Sequence, residues 1–410
     1  MAQQIIQFFE REQLAPPARQ PFGVATTPEI DAMLLANTVV SIGVSGGKDS
    51  VATALRLDDY LREIGHTGPK LLIHSDLGSV EWQDSLPACE RLARRIGWEL
   101  VVVRRAAGDL MARWEKRWEN NVQRYRDLSC VKMILPWSTP SMRFCTSELK
   151  TEIICAELTK RFPGQQILSV TGVRHDESAT RAKMPVISAQ PKLTRRGASG
   201  WNWNPIIQWP TEDVFTYLAA KDEALHEAYT RYGSTRVSCT FCIMGSIADL
   251  RAAVSCEDNH DIYRQMVDLE IRSTYGLQGS RWLADVAPHL LSPSTREAVA
   301  QAKERAIRRE MAEARLPKHL LFTKGWPTVM PSADEAALLA SIRQEVAEIM
   351  DMPIDYTEPD AIIARYQMLM DGYAAKQAPI RRGVAAQQEP TRMIPPVGSI
   401  RNDIDVAMWT

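Results

Sequence analysis

Two stretches of the chain hold residue types at spacings that chemistry can use. The first is Ser45-Gly46-Gly47-Lys48-Asp49-Ser50, set between an apolar run and a helix-forming run. Paired glycines let a backbone turn tightly and bring N–H groups close to an anion. The helix that follows adds its positive N-terminal end. Lys48 supplies a full charge, and Ser45 and Ser50 supply hydroxyls. Polyphosphate is the ligand this chemistry suits. The loop is not a Walker A motif, because Ile42 and Asp49 occupy the positions of that motif's first glycine and its Ser/Thr.

The second stretch is Cys239-Thr-Phe-Cys242. A C-x-x-C spacing puts two thiolates within reach of one metal or cluster. Cys145, upstream in Arg-Phe-Cys-Thr, and Cys256, fourteen residues after Cys242, could complete the ligand set of a [4Fe–4S] cluster. Zn²⁺ accepts the same four ligands, and a redox dithiol needs only the pair. Without Cys256, a three-cysteine cluster with an open iron remains. Cys89 and Cys155 stand among apolar residues in helical runs and read as buried structural thiols. Cys130 fits either reading.

The elements that must carry these residues follow from hydrophobic periodicity. TVVSIGV, KLLIHSD, WELVVVRR and QQILSVTGV read as buried strands, and NPIIQW as a short fifth. VATALRLDDYLREIG and SVEWQDSLPACERLARRIG read as helices ended by Gly65 and Gly97. Strand alternating with helix predicts a parallel sheet covered by helices on both faces. From Ile247 onward the pattern is helical, and the end, from about residue 376, is rich in Pro, Gln and Arg. The expected division is an N-terminal helix and arm over 1–37, an α/β domain over 38–246, and a helical domain with an extended tail over 247–410.

Composition narrows the setting. A chain of 410 residues exceeds one hydrophobic core. Hydrophobic residues at 45% and charged residues at 24% exclude a mostly disordered chain. With 49 Lys+Arg against 50 Asp+Glu, a globally basic nucleic-acid coat is excluded, though a local basic groove is not. Seven cysteines are too few for a disulfide scaffold. No signal peptide or apolar run of membrane-spanning length is visible, so the expectation is a cytoplasmic protein with no membrane partner.

Val-Ser45-Gly46-Gly47-Lys48-Asp49-Ser50 resembles the PP-loop of the ATP pyrophosphatase superfamily, whose members cleave ATP between the α and β phosphates. The resemblance implies an adenine nucleotide α-hydrolase-like fold, ATP and Mg²⁺ as cofactors, and pyrophosphate contacts from Ser45, Gly46, Gly47, Lys48 and Ser50. Asp49 would order the loop or a Mg²⁺, and Lys48, Asp49 and Ser50 would be the catalytic set. Later stretches resemble the PAPS-reductase branch. Asp76 in HSDLG falls where that branch contacts ribose or metal. MRFCTSELK matches its Arg-x-Cys-Thr pattern at Arg143, Cys145, Thr146 and Lys150. TGVRHDESATR supplies Gly172, Arg174, Glu177, Ser178 and Arg181 for the nucleotide, and NPIIQWPTEDV supplies packing, with Thr211 as a helix N-cap.

Sulfonucleotide reductases of that branch carry a late catalytic cysteine or an adjacent Cys-Cys pair. This sequence has no cysteine after Cys256 and no such pair. RFCTSELK followed by Arg-x-Ser-Cys-Thr-Phe-Cys, beginning at Arg236, is most similar to the DndC- and SspD-type proteins of DNA phosphorothioation. That resemblance implies ATP-driven adenylation of a DNA backbone phosphate, with a cysteine desulfurase as sulfur donor and further subunits of a modification complex as partners. The alternatives are a sulfonucleotide enzyme, a tRNA thiolation enzyme, and a non-catalytic ATP-sensing subunit of a defence complex. Two basic stretches favour a nucleic acid. Residues 91–126 hold ten Arg/Lys against four acids, interleaved with Trp98, Trp114 and Trp118 that could stack on bases. Residues 179–200 hold Arg181, Lys183, Lys192, Arg195 and Arg196 with no acid. A solvated, partly packed helix face is the competing reading of RWEKRW.

Overall fold

The computed structural model describes residues 21–385 apart from residue 196, with side chains as far as residue 376. The expected helix near the N-terminus, Arg196 and most of the expected tail lie outside the described residues. The chain divides into two units: residues 1–111 with 138–263, and residues 112–137 with 264–410.

The first unit is built on a six-stranded sheet. Helix α1 (Pro28–Leu35) leads into β1 (Val39–Val44), α2 (Lys48–Glu63), β2 (Lys70–Asp76), α3 (Ser85–Ile96) and β3 (Glu99–Arg104). Helix α4 (Leu110–Arg126) follows, and the chain then returns through α5 (Glu152–Arg161), β4 (Ile167–Val170), β5 (Ile187–Ala189), β6 (Gly200–Trp203) and α6 (Thr211–Ala220). The strand order is β3-β2-β1-β4-β6-β5. All pairs are parallel except β5 with β6.

Strand alternation sends successive side chains to opposite faces. Val40, Ile42, Val44, Leu72, Leu168 and Val170 pack under residues of α1, α2, α3 and α6. Val39, Leu71, Ile73, Val101 and Ile167 pack on the other face with Cys155 and Leu158 of α5. The doubly covered α/β sheet is as expected. The expected strand NPIIQW is instead a buried turn, closed by the Ile207 N–H on the Asn204 carbonyl at 3.3 Å and the Trp209 N–H on the Ile206 carbonyl at 2.9 Å. Pro205 has no N–H to give a ladder. The outer strands are β6 and β5, which the sequence patterning left unassigned.

The second unit takes residues 112–137 together with the helical C-terminal part, so the unit boundary falls at 263/264 and not at 246/247. Helix α7 (Ile247–Val254) still belongs to the first unit; α8 (His260–Ser273) crosses the boundary, and α9 (Pro293–Ala314), α10 (Ala333–Met350) and α11 (Pro359–Ala385) belong to the second. Helix α11 runs through the point where the tail was expected to begin. Two tryptophans tie α4 into this unit. The Trp114 ring meets Trp137 edge-on at 5.3 Å, and Trp118 meets Tyr275 at 6.4 Å. The Trp137 indole N–H donates to the Tyr275 carbonyl at 3.0 Å. Deeper in, Arg309 is buried and fully paired: Glu313 accepts at 3.0 Å, the Tyr275 hydroxyl at 2.8 Å and the Thr274 hydroxyl at 2.9 Å.

This packing corrects the stacking expectation. Trp98, Trp114 and Trp118 are all buried, and Trp98 donates to Asp58 at 2.8 Å inside the first unit's core. These indoles hold helices rather than bases. Among the described residues, no helix is long and apolar enough to cross a membrane. Trp114→Ala should cost about 3–5 kcal/mol of stability, as large-to-small aromatic core substitutions do, read as a lowered urea midpoint. A change under about 1 kcal/mol would put Trp114 outside the core.

Candidate nucleotide-binding site

The sheet order reverses between β1 and β4, and open α/β sheets bind ligands outside the carboxyl ends of the strands at such a point. Ser45–Gly47 leave β1 there and turn into α2. Gly46 has φ +74°, and a Cβ on it would stand 3.0 Å from Ala88 and 3.1 Å from His226. Gly47 is the α2 N-cap without a side-chain cap bond. The Ser50 hydroxyl staples the loop, donating to the Gly47 carbonyl at 2.9 Å and accepting from the Ser45 N–H at 3.4 Å.

Charge is concentrated on the first turn of α2. Asp49 meets Lys48 Nζ with one oxygen at 3.0 Å and Arg174 Nε with the other at 2.7 Å. Arg174, 2% exposed, also donates to the Trp209 carbonyl and the Thr211 hydroxyl, both at 3.2 Å. Gly172 brings the β4 exit against α2: a Cβ on it would lie 2.7 Å from the Asp49 carbonyl oxygen. Thr211 is the first residue of α6 rather than its N-cap. Its N–H and hydroxyl donate to Asp176 at 3.0 and 2.9 Å, so Asp176 satisfies that helix end.

Glu177 pairs with Arg181 and lies 4.0 Å from Arg174. The exposed Ser178 accepts the Arg181 N–H at 3.2 Å, which makes it a cap for that turn. Burial, with the charges of Arg143 and Arg236 beside it, pulls the Arg181 guanidinium down from its ordinary value. Three arginines from three separate segments therefore crowd one rim of the loop, an arrangement that an anion would relieve.

Asp76 closes β2. Burial raises its carboxyl, but the Arg104 guanidinium and the Gly78 N–H at 2.7 Å outweigh this and hold it below the usual range. Asp76, Gly78, Ser79, Glu81, Trp82, Gln83, Leu86 and Pro87 line a cleft of about 220 Å³. Both oxygens of Asp49 and both of Asp76 are taken by donors. These carboxylates order the loop and the strand end, and do not fit as ready ligands for Mg²⁺.

The cysteines divide. Burial pushes the Cys239 thiol up to about 12, Lys150 pulls it down, and Cys242 and Cys145 add to the rise, so these three thiols share a neighbourhood. Cys256 is buried and hydrogen-bonds the Tyr232 hydroxyl. Among the described residues, no group of three or more His, Cys, Asp or Glu side chains is gathered closely enough to hold a metal ion. The four cysteines are therefore not assembled as a ligand set for a [4Fe–4S] cluster or Zn²⁺, and Cys256 has a packing partner of its own. Cys89, Cys130 and Cys155 are buried, as structural thiols would be.

Sequence reasoning missed several residues. Tyr229 and Phe215 flank the Lys48 ammonium, with ring centroids at 5.7 and 5.8 Å. Arg236 joins the arginine rim. Arg236 opens the Arg-x-Ser-Cys-Thr-Phe-Cys stretch, while Tyr229 and Phe215 belong to no motif, and only the fold brings the three to the loop. His74 stands inside the strand run KLLIHSD, where periodicity gives it no role beyond the strand. Its Nδ1 faces the Val44 carbonyl at 3.0 Å and its Nε2 faces Glu81 at 3.2 Å, so both nitrogens have acceptors. Burial alone would lower this imidazole, but its hydrogen bonds to Cys89 and Glu81 and the Glu81 charge raise it to about 10.

These features define a doubly covered α/β protein with a phosphate-type loop at the sheet's switch point. The phosphoadenosine phosphosulfate reductase domain model matches residues 39–244, half of the chain, and the chain belongs to that family. No curated protein sequence matches it. Among solved structures, the chain is similar to FMN adenylyltransferase from Candida glabrata with FMN and the ATP analogue AMPCPP (16% identity, 50% of this chain, 56% of that chain, TM-score 0.32). This chain thus spans little more than half the length of that enzyme. It is similar to phosphoadenylyl-sulfate reductase from Candida auris in a phosphate complex (14% identity, 53% of this chain, 97% of that chain, TM-score 0.32). It is also similar to the U34-tRNA thiolase NcsA from Methanococcus maripaludis with its [4Fe–4S] cluster (13% identity, 70% of this chain, 78% of that chain, TM-score 0.32).

The buried imidazolium makes a pH prediction. His74 has a folded value near 10 against an ordinary 6.5, so its stabilisation is full below pH 6.5 and lost as pH rises toward 10. The denaturation midpoint should fall across that window, and fall less in His74→Gln. Equal slopes would show that His74 is neutral in the folded protein.

Proposed function

We propose that the protein is an ATP pyrophosphatase that adenylates a substrate oxygen for sulfur incorporation, with a DNA backbone phosphate as acceptor. The observation that carries this reading is the charge arrangement at the α2 N-terminus: Lys48, Asp49 and buried Arg174 in contact, with Arg181, Arg143 and Arg236 at the rim. Cleavage between the α and β phosphates leaves charge on departing pyrophosphate, and fixed cations and N–H dipoles aimed there lower the barrier. In the proposed step the acceptor oxygen attacks the α-phosphorus, the bond to the β-phosphate oxygen breaks, and pyrophosphate leaves. A sulfur nucleophile then attacks the activated acceptor phosphorus and AMP departs.

In this reading the loop and Lys48 hold the β and γ phosphates. Asp49 keeps Lys48 and Arg174 in register. The cleft beside Asp76 takes the nucleoside. The arginine rim would meet an acceptor's phosphates, and the exposed Lys183, Lys192 and Arg195 are further cations on the surface of this unit. Cys239, on which Cys145 and Cys242 act electrostatically, is where sulfur from a cysteine desulfurase would be received. Further subunits of a modification complex are the remaining proposed partners.

Purified protein given ATP, Mg²⁺, DNA and a desulfurase with cysteine should release pyrophosphate and AMP. Lys48→Ala should reduce that release roughly 10²–10³-fold, as loss of one oriented electrostatic contact does, with circular dichroism unchanged. Release of neither product by the wild type would refute the enzyme reading. Sulfite formed from phosphoadenosine phosphosulfate would replace it with sulfonucleotide reduction.

A further inference from the structure

The Tyr229 hydroxyl touches the phosphate loop and the cysteine loop at once. It accepts the backbone N–H of Lys48 at 3.2 Å and the backbone N–H of Val237 at 3.2 Å. The first is the leading N–H of α2, one of the donors a helix start leaves for an anion. The second belongs to the segment that runs two residues on to Cys239. The ring stands edge-on to Phe215 at 6.2 Å and lies 5.7 Å from the Lys48 ammonium, so its position is set independently of the hydroxyl.

The two loops are in close contact at this point. A Cβ on Gly47 would stand 3.3 Å from the Val237 Cβ and 3.6 Å from the Tyr229 oxygen. An anion that takes the Lys48 N–H must therefore displace the phenol and push Val237 aside. Beyond Cys239 the chain is anchored: the Thr240 N–H and hydroxyl both donate to the Val80 carbonyl, at 2.8 and 3.1 Å. Cys239 thus lies between a segment held by Tyr229 and a residue fixed to the end of a separate turn. Burial keeps the phenol neutral, with its proton held up to about 12. A neutral oxygen is a weaker acceptor than a phosphate oxyanion, so the exchange runs toward the anion.

We propose that Tyr229 is a positioning residue that transmits occupancy of the phosphate loop to Cys239. With the loop empty, its hydroxyl joins the Lys48 and Val237 N–H groups. When a pyrophosphate oxygen takes the Lys48 donor, the phenol lets go, and the Val237–Cys239 segment moves and opens the half-buried thiol further. This rests on the phosphate-loop reading above. It makes sulfur chemistry at Cys239 conditional on a nucleotide being in place.

The test uses the full chain, its Tyr229→Phe variant and inorganic pyrophosphate as the probe. Phenylalanine keeps the ring and its contact with Lys48 while removing the oxygen. Calorimetry reads binding, and mass spectrometry of the Cys239 peptide reads its alkylation rate by iodoacetamide. Saturating pyrophosphate should speed Cys239 alkylation in the wild type roughly five- to tenfold, the worth of two modest hydrogen bonds. Tyr229→Phe should alkylate fast without pyrophosphate and bind it severalfold tighter. Pyrophosphate that binds the wild type without changing Cys239 overturns the coupling and leaves the phosphate loop standing. So does a Tyr229→Phe protein that binds more weakly and alkylates as the wild type does. Failure of pyrophosphate to bind either protein overturns both readings. The wild-type arm decides the coupling even if the variant does not fold.

Discussion

A single buried guanidinium organises the centre of the first unit. Arg174 leaves the end of β4 with almost no exposure, so its charge must be paired where it lies. Asp49 supplies the pairing charge from the first turn of α2. The Trp209 carbonyl and the Thr211 hydroxyl, at the entry to α6, take its other donors. One side chain therefore locks the β4 exit, the phosphate loop and α6 to each other. The close approach at Gly172 follows from the same geometry, because a methyl group there would collide with the Asp49 carbonyl.

This lock explains why the acids at the site are not free ligands. Asp49, Asp76, Asp176 and Glu177 each already serve a cation or an N–H group. Positive charge gathers at the rim, where burial and the neighbouring Arg143 and Arg236 lower the Arg181 guanidinium although Glu177 pairs with it. Such a surface is costly to maintain without an anion and favourable with one. The Tyr229 hydroxyl accepts from the Lys48 N–H and from the Val237 N–H, so the segment that leads to Cys239 is linked to the same loop through one side chain.

Much of the sheet was legible because its signals are local. β1, β2, β3 and β4 are apolar runs bounded by turn residues, and Gly97 stops α3 in the left-handed conformation that its sequence position suggests. NPIIQW misled because its burial is that of a packed turn, and apolar content alone does not distinguish turn from strand. The tryptophans of α4 misled for a related reason. Basic residues interleaved with indoles describe a nucleic-acid face and a buried helix seam equally well, and only the neighbours Trp137 and Tyr275 choose between them. Those partners lie 23 and 157 residues away, beyond the reach of any periodicity.

By itself, the sequence determined the strand–loop–helix at Ser45–Ser50, the family-like motifs at Arg143, Gly172 and Arg174, and the alternating α/β pattern, because each depends on residues close together in the chain. Tertiary structure alone decided the rest. It joined residues 112–137 to the C-terminal helices, brought Tyr229, Phe215 and Arg236 to the phosphate loop, and set Cys256 against Tyr232 apart from a gathered ligand set. The physical reason is distance along the chain. Burial, charge crowding and hydrogen bonds between remote segments arise only when the sheet has placed those segments side by side.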